Sequence, residues 1–273
     1  MIERVTAPIF DLFITTKCTL NCKLCAAGIP FIEEPAHTDL KIVFEEIRHF
    51  FQVYDYVDRI EFIGGEPLMH PDIVEIVKEA VKYKSQFGFI RITTNATIVP
   101  SEMLLRVLNE SGCKFDFLVD NYGELSVNFD KIVRILDENN ITYRVDEYHG
   151  KREEQRFGGW IDFGDFTDQM YSEEQIQYNF EHCAAIKRNV CITHGKVFPC
   201  CYEMAGYLEG KLPLIEGEYI DLFDENISLE DKKKIAQDFW KNSLYACRFC
   251  KSFNAENSKR YCAAEQMERK YGI

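Results

Sequence analysis

The sequence lacks the features that would indicate a membrane protein or a nucleic-acid-binding protein. No apolar run approaches the ~18 residues that cross a bilayer, so we expect no membrane partner. The opening residues, MIERVTAPIF, do not show the basic and then apolar order of a signal peptide, and we therefore expect a cytoplasmic location. Positive charge is scarce: 32 Lys and Arg stand against 45 Asp and Glu, a formal net charge of −13. This balance argues against nucleic acid as a partner.

Cysteine, by contrast, is abundant, with 11 residues in a chain of 273. In a cytoplasmic chain such a number indicates metal binding or catalysis rather than disulfides. Three of them, Cys18, Cys22 and Cys25, lie in the segment CTLNCKLC at the spacing C-x3-C-x2-C. Three thiolates can hold three irons of a [4Fe–4S] cluster and leave the fourth iron open for a small chelating ligand. The spacing alone is also compatible with zinc.

Residues 1–148 alternate between short β-rich runs and helical patterns. The predicted strands are Ile9–Thr16, Arg59–Gly65, Phe89–Asn95, Phe115–Asp120 and Ile141–Tyr148. The predicted helices are Leu40–Tyr54, Pro71–Lys84, Ser101–Glu110 with Ser101 as the cap, and Phe129–Glu138. Repeated strand–helix units predict an α/β fold with a parallel sheet, either open or rolled into a full or partial barrel.

The pattern changes after Tyr148. Residues 150–169 form a long, glycine-containing stretch that is typical of a functional loop. A helix follows at Glu173–Phe180, then a hairpin at Val190–Cys201 that turns at His194 and Gly195, and a helix at Leu229–Trp240. We predict two domains, residues 1–180 and residues 181–273.

Polar residues follow each predicted strand at its carboxyl end, where parallel α/β folds bind ligands. After the cysteine loop these are Gly64-Gly65-Glu66-Pro67, Asn95, Asp120 with Asn121, and Glu147 with His149. Two glycines allow a backbone to approach a ligand closely, and Glu66 supplies an acceptor for an ammonium group. We therefore expect one ligand site at this edge of the sheet.

C-x3-C-x2-C after the first strand, with Gly-Gly-Glu-Pro after the second, resembles the radical S-adenosylmethionine (radical SAM) superfamily over Ile9 to Tyr148. The resemblance implies a partial (β/α) barrel. It also implies that Cys18, Cys22 and Cys25 ligate a [4Fe–4S] cluster whose open iron chelates SAM. The remaining implied SAM contacts are Gly64, Gly65 and Glu66 to the methionine amine, and Asn95 and Asp120 to the carboxylate or ribose. The family has an aromatic residue before the third cysteine; here it is Leu24, which can still pack against adenine.

Seven further cysteines lie beyond residue 180. The arrangement of Cys183, Gly195 and Cys200, followed by Cys247 and Cys250, resembles the twitch and SPASM extensions of radical SAM enzymes, which carry auxiliary clusters. Because Glu256 stands where the SPASM form has its next cysteine, the resemblance implies the small twitch form with one auxiliary [4Fe–4S] cluster. Its ligands are Cys183, either Cys200 or Cys201, Cys247 and Cys250. Structural zinc is the alternative. Cys113, Cys191 and Cys262 are expected to be buried or free thiols.

The resemblance implies that SAM is cleaved to a 5′-deoxyadenosyl radical, which removes a hydrogen atom from the substrate. A fully ligated auxiliary cluster suits acceptance of the second electron, as in the aminocyclitol-oxidising members. We therefore predict dehydrogenation of a small hydroxylated molecule, a sugar or aminocyclitol, with flavodoxin or ferredoxin as the electron donor. Candidate bases are Glu147, His149 and Asp162, and candidate substrate anchors are Arg152 and Arg156; Trp160 is a candidate pocket residue.

Three other functions are compatible with the same residues. An epimerase would return a hydrogen atom from a cysteine such as Cys262. A peptide-modifying maturase is less favoured, because no extra domain for a peptide leader is evident in the sequence. A zinc or electron-transfer module without SAM chemistry would show no SAM cleavage at all.

Overall fold

The structure, a computed structural model, describes residues 4–251 and 258–268. Ten strands are present in these residues: β1 (Thr6–Thr15), β2 (Tyr56–Gly64), β3 (Phe87–Thr94), β4 (Phe115–Asn121), β5 (Tyr143–Glu147), β6 (Trp160–Ile161), β7 (Asn189–Thr193), β8 (Lys196–Phe198), β9 (Ile220–Asp221) and β10 (Arg260–Tyr261). Eight of them form one sheet in the order β5-β4-β3-β2-β1-β7-β8-β9, and β6 pairs with β10 in a small second sheet.

Six neighbouring strands of the large sheet, from β5 to β7, are parallel. β8 and β9 extend the sheet in antiparallel fashion. This arrangement confirms the predicted α/β class with a parallel sheet. The first five predicted strands are all present, with ends that differ from the predictions by a few residues.

Seven α-helices are described: α1 (Leu40–Val53), α2 (Ile73–Val81), α3 (Glu102–Glu110), α4 (Phe129–Glu138), α5 (Glu173–Glu181), α6 (Cys201–Leu208) and α7 (Leu229–Asp238). The predicted cap of α3 is confirmed, because the Ser101 side chain accepts a hydrogen bond from the backbone N–H of Leu104. Helix α6 and the small sheet of β6 and β10 were not predicted. The C-terminal helix ends at Asp238, before the predicted Trp240.

The two faces of the large sheet have opposite character. On the outer face, Phe10, Leu12 and Ile14 of β1 belong to the main apolar core with helices α1 to α4. The alternate residues point to the inner face, where β1 presents Asp11. Across the neighbouring strands Asp11 lies in one row with Cys191, Glu61, Arg91 and Asp116. A charged inner face is not a packed core, so it is the side of the sheet that can receive a polar ligand.

The C-terminal part of the chain completes the same sheet. β7 pairs with β1, and α6 covers the inner face near this pair, where Met204 packs with Phe13 and Phe198. The predicted hairpin is confirmed as β7 and β8, with His194 and Gly195 at its turn. The boundary at residue 180 stays a prediction. Glu256, on which the choice of the twitch form rested, lies outside the described residues. Among the described helices, none combines the length and apolarity needed to cross a membrane.

Candidate functional site

The three clustered cysteines lie on the loop that follows the carboxyl end of β1. Cys22 is buried, and Cys18 and Cys25 are half-buried. Tight turns shape the loop, with Cys25 N–H donating to the Cys22 carbonyl at 3.2 Å and Gly28 N–H donating to the Cys25 carbonyl at 3.0 Å. Burial raises the pKa of Cys18 and of Cys22 to about 12. The free thiols therefore hold their protons, and a metal must displace them to bind.

The Gly-Gly-Glu segment after β2 packs directly against this loop. Gly65 N–H donates to the Thr15 carbonyl and Glu66 N–H to the Lys17 carbonyl, both at 2.9 Å. A Cβ atom on Gly65 would lie 2.1 Å from the Lys17 carbonyl oxygen and 2.9 Å from the Cβ of Cys18. Only glycine permits this approach, so the glycine motif fixes the position of the first cysteine.

Glu66 is fully buried and engaged through both carboxylate oxygens. It accepts hydrogen bonds from the Thr94 hydroxyl at 3.0 Å, from Asn95 N–H at 2.8 Å and from Leu68 N–H at 3.1 Å. Burial raises its pKa to about 7, against the opposing effect of these hydrogen bonds. The side chain therefore ties the end of β2 to the end of β3.

Asn95 and Gln266 both direct side-chain amides at sulfurs of the cysteine loop. The Asn95 amide lies 3.6 Å from the Cys18 sulfur, and the Gln266 amide lies 3.2 Å from the Cys22 sulfur. Gln266 belongs to a C-terminal segment that docks on the loop, with Lys23 N–H donating to the Glu265 carbonyl at 2.8 Å. Sequence reasoning did not find Gln266, and no local signal marks it, because the contact spans more than 240 residues.

An acidic and aromatic cluster lies at the carboxyl ends of β4 and β5. Asp120 and Asp146 are partners across these strands. The rings of Tyr122 and Tyr148 stack at 5.5 Å between centroids, and Trp160 meets both edge-on. The Tyr122 hydroxyl donates to Asp120 at 3.2 Å. Burial, then the charge of Asp146, raises the pKa of Asp120 to about 8.

Of these residues, Asp120 and Trp160 were predicted, whereas Tyr122, Asp146 and Tyr148 were missed. A signal for Asp146 was available in the strand alternation. Val145 packs against the apolar core, so its neighbour Asp146 faces the opposite side.

Of the predicted catalytic and anchoring residues, Arg156 contacts this cluster, whereas the other four form ion pairs outside it. Glu147 and His149 are about half-exposed and form an ion pair with each other at 2.8 Å. Arg152 pairs with Glu153 at 2.6 Å, and Asp162 pairs with Lys251 at 2.5 Å. Arg156 contacts Asp146, with its Nε 3.5 Å from the carboxylate.

Asp162, Leu24 and Cys25 line one cavity of about 450 Å³. Tyr202 also lines this cavity, and it lines a second, smaller cavity as well. Tyr202 is therefore shared by the cavity next to the cysteine loop and the smaller one.

The four C-terminal cysteines of the predicted auxiliary site line that smaller cavity together: Cys183, Cys200, Cys247 and Cys250. Cys200 immediately precedes α6, whereas Cys201 is its first residue. The Cys201 sulfur points elsewhere, to within 3.8 Å of the Asp11 carboxylate. The structure thus separates the two adjacent cysteines that the sequence left open.

In the described part of the chain, neither predicted cluster site brings three ligand atoms within 4.8 Å of one another. Among the described residues, only Asp11, Cys191 and Cys201 offer three such atoms that all lie within 4.8 Å of one another. Tetrahedral zinc with Zn–S bonds of ~2.3 Å needs sulfurs about 3.8 Å apart. In a cluster each thiolate binds a different iron, so wider spacing is expected.

Comparison with known proteins gives a family match over the N-terminal part. Residues 12–134 match the model of the radical SAM superfamily. The GTP 3′,8-cyclase of Clostridium acetobutylicum is 27% identical over 130 residues, which are 45% of this chain and 39% of that protein. The 7,8-dihydro-6-hydroxymethylpterin dimethyltransferase of Methanocaldococcus jannaschii is 28% identical over 121 residues, 42% of this chain and 22% of that protein. The matches thus span less than half of these relatives.

Two solved structures share the fold over nearly the whole chain. BtrN in complex with AdoMet and 2-DOIA has a TM-score of 0.56 at 14% identity, covering 93% of this chain and 97% of BtrN. The structure of anSMEcpe with bound AdoMet and the Kp18Cys peptide has a TM-score of 0.56 at 12% identity, covering 96% and 93%. At such identities the likeness establishes the fold alone.

Proposed function

We propose that the chain, whose residues 12–134 match the model of the radical SAM superfamily, is an oxidising radical SAM enzyme that acts on a small hydroxylated molecule. The observation that carries the proposal is the charged inner face of the sheet. It ends in the carboxylates of Asp120 and Asp146 and in stacked aromatic rings. One of these rings, Tyr122, lies near Cys22 of the cysteine loop.

Cys18, Cys22 and Cys25 would hold a [4Fe–4S] cluster with SAM. The donor set fits: three buried or half-buried thiols lie on one loop, and two side-chain amides direct N–H groups at the sulfurs. Such hydrogen bonds stabilise metal-bound thiolates. When bound, the cluster and SAM supply a radical that can remove a hydrogen atom from an unactivated C–H bond.

The SAM contacts are proposed at Leu24, Gly64, Gly65, Glu66, Asn95 and Asp120. Because both Glu66 oxygens are occupied by protein donors, we propose that Glu66 acts by holding the backbone of residues 64–66 in place. The backbone carbonyls of this segment are then the acceptors for the methionine amine.

Cys183, Cys200, Cys247 and Cys250 are proposed as the ligands of one auxiliary [4Fe–4S] cluster in a twitch-like domain of residues 181–273. Their common cavity supports this proposal, and no three of their sulfurs lie within 4.8 Å of one another, as a single tetrahedral zinc ion would require. When bound, this cluster supplies an acceptor for the electron that the substrate loses.

The inner face favours a neutral or amine-bearing polar substrate. Each arginine there is already paired with a carboxylate: Arg59 with Glu61, Arg91 with Asp116, and Arg144 and Arg156 with Asp146. No arginine of this described set is left to neutralise a triphosphate, so a nucleotide substrate like that of the cyclase relative is disfavoured.

Asp146 can bind hydroxyl or ammonium groups of the substrate, while the three aromatic rings can cover the apolar face of a small ring. Glu147, His149 and Asp162 remain proposed as catalytic bases, and Arg152 and Arg156 as substrate anchors. The electron donor is proposed to be flavodoxin or ferredoxin.

Fold likeness does not choose between small molecules and peptides, since BtrN and peptide-bound anSMEcpe give the same TM-score. Epimerisation through Cys262 remains an alternative, because this side chain is exposed and follows β10, which pairs with β6 beside Trp160.

The test is a comparison of two multiple variants with the unmutated protein after anaerobic reconstitution. One replaces Cys18, Cys22 and Cys25 by Ala; the other replaces Cys183, Cys200, Cys247 and Cys250 by Ala. Two clusters predict that each variant keeps about half of the iron and sulfide. Only the second variant should still form 5′-deoxyadenosine from SAM under reducing conditions.

Cys113→Ser is the matched control, because Cys113 lies outside both groups; its iron content and SAM cleavage should equal those of the unmutated protein. If the first variant holds no iron, or holds zinc in place of it, the auxiliary cluster and the dehydrogenase proposal are wrong. If the unmutated protein forms no 5′-deoxyadenosine, the radical SAM activity is wrong.

A further inference from the structure

Three potential metal ligands that belong to neither cluster meet on the inner face of the sheet. Asp11 comes from the middle of β1, Cys191 from β7, and Cys201 from the first position of α6. Asp11 and Cys191 are partners across the strand pair. Both are buried, and Cys201 is half-buried.

The distances among these atoms suit a single metal ion. The Asp11 carboxylate lies 3.9 Å from the Cys191 sulfur and 3.8 Å from the Cys201 sulfur. A tetrahedral zinc ion with Zn–S bonds of ~2.3 Å and a Zn–O bond of ~2.0 Å needs sulfur–oxygen separations of about 3.5 Å. The two sulfur–oxygen separations exceed this value by only a few tenths of an ångström, and the two sulfurs lie within 4.8 Å of each other.

Asn189 faces the three ligands with a single atom. Its side-chain amide nitrogen lies 3.3 Å from the Cys191 sulfur and 3.0 Å from the Cys201 sulfur, and it also contacts the Asp11 carboxylate. Because this one nitrogen contacts all three ligand atoms, it occupies space that an ion and its fourth ligand need, and the Asn189 amide must turn away when an ion binds. Within residues 4–251 and 258–268, no cationic side chain forms an ion pair with Asp11, so the charge of a bound cation would be the compensating one.

We propose that Asp11, Cys191 and Cys201 form a third metal site, which binds Zn²⁺ with a water molecule as its fourth ligand. Three protein ligands and one exchangeable position are the donor count of catalytic rather than closed structural zinc sites. The two thiol protons are released to solvent when the ion binds. The adjacent cysteines Cys200 and Cys201 thus serve two different sites, and this assignment does not depend on the proposed reaction.

The test measures zinc in the full-length protein. Protein with reconstituted iron–sulfur clusters is exposed to Zn²⁺ and desalted, and the retained zinc is measured by mass spectrometry and by X-ray absorption at the zinc edge. The expected result is about one zinc per chain, bound by two sulfurs at ~2.3 Å and two oxygen or nitrogen atoms at ~2.0 Å. Cys201→Ser and Asp11→Asn should each reduce the retained zinc at least tenfold.

Cys113→Ser is the control and should retain the full zinc content. The proposal is overturned if the unmutated protein retains no zinc, if the zinc is surrounded by four sulfurs, or if Cys201→Ser and Asp11→Asn retain it. Should Cys191→Ser fail to fold because this residue is fully buried, the absorption spectrum of the unmutated protein still decides the question.

Discussion

The two cysteine groups of this chain are built in opposite ways. Cys18, Cys22 and Cys25 lie within one loop, on which the segment of residues 64–66 packs through two backbone hydrogen bonds. The C-terminal four come from separate segments: Cys183 follows α5, Cys200 precedes α6, and Cys247 and Cys250 lie in and just after a short helical turn at Tyr245–Arg248. The first group depends on local geometry, whereas the second exists only when distant segments have folded together.

The difference has a consequence for stability. If one of the segments that carry the C-terminal cysteines moves away, the group is lost, because its four sulfurs come from three separate segments. The N-terminal group is held by the end of β1 and can survive local loosening elsewhere. Conditions that weaken contacts between the two halves should therefore affect the C-terminal group first.

One buried contact allows this difference to be tested. The fully buried Glu46 of α1 accepts a hydrogen bond from Gly195 N–H at 2.7 Å, at the turn of the hairpin that leads to Cys200. Burial raises the pKa of Glu46 to about 7 from its ordinary value of 4.5. The folded chain therefore favours the protonated carboxyl, and its stability falls as pH rises from the unfolded pKa through about 7.

Glu46→Gln removes this penalty while keeping an acceptor for Gly195. Relative to the unmutated protein, we expect the variant to gain roughly 2.5 kcal/mol in free energy of unfolding between pH 5 and pH 8. Urea denaturation at several pH values measures it. Glu45→Gln, on the half-exposed neighbour, should change the pH dependence between pH 5 and pH 8 little, because the hydrogen bond from Arg48 lowers the pKa of Glu45. If the curves of Glu46→Gln and the unmutated protein run parallel, Glu46 does not ionise in this range.

The same contrast explains what the sequence could predict. Strand positions followed from the alternation of apolar residues, and the cysteine loop followed from spacing within eight residues. Asp146 could also have been found, because Val145 fixes which side of β5 faces the core. Glu147 was predicted instead because it lies at the end of the strand, and the side of the sheet to which its side chain points was not considered.

Two other features could not be predicted, for a physical reason. Cys200 and Cys201 differ only in where the first turn of α6 points them, and that direction depends on how α6 packs on the inner face. The contact of Gln266 with Cys22 joins the two ends of the described chain. Neither feature leaves a periodic or local signal, because both arise from packing between segments distant in sequence.

The packing of Gly65 provides a second test, on the N-terminal group. In Gly65→Ala the new Cβ would lie 2.1 Å from the Lys17 carbonyl oxygen, so the cysteine loop must move. Overpacking of this kind costs about 2 kcal/mol, and we expect lower iron content at Cys18, Cys22 and Cys25 as well. Urea denaturation and iron analysis measure the two effects.

Gly217→Ala is the control for this substitution. A Cβ there meets no atom within 4 Å, although the positive φ of +86° imposes backbone strain of about 1 kcal/mol. The iron content of this control should be unchanged. Equal iron content in Gly65→Ala and Gly217→Ala would mean that the glycine segment does not position the cysteines.

The smallest expected effect concerns the contact between Gln266 and Cys22. Among the described side-chain hydrogen bonds to the sulfurs of the N-terminal group, it is the one that comes from the C-terminal segment. The Gln266 amide donates toward the Cys22 sulfur at 3.2 Å, and its carbonyl oxygen accepts from Asn21 N–H at 2.8 Å. A hydrogen bond to a ligand sulfur stabilises the reduced cluster, which carries more negative charge.

Gln266→Glu keeps the acceptor and removes the donor, so the reduction potential should become more negative. A hydrogen bond worth about 1 kcal/mol corresponds to roughly 40 mV for one electron. A redox titration in the variant that lacks Cys183, Cys200, Cys247 and Cys250 measures this cluster alone. Glu265→Gln, next to it and exposed, is the control for charge. An unchanged potential in Gln266→Glu would mean that the C-terminal segment does not influence the N-terminal group. The properties of that group would then depend on its own loop and on the segment of residues 64–66 alone.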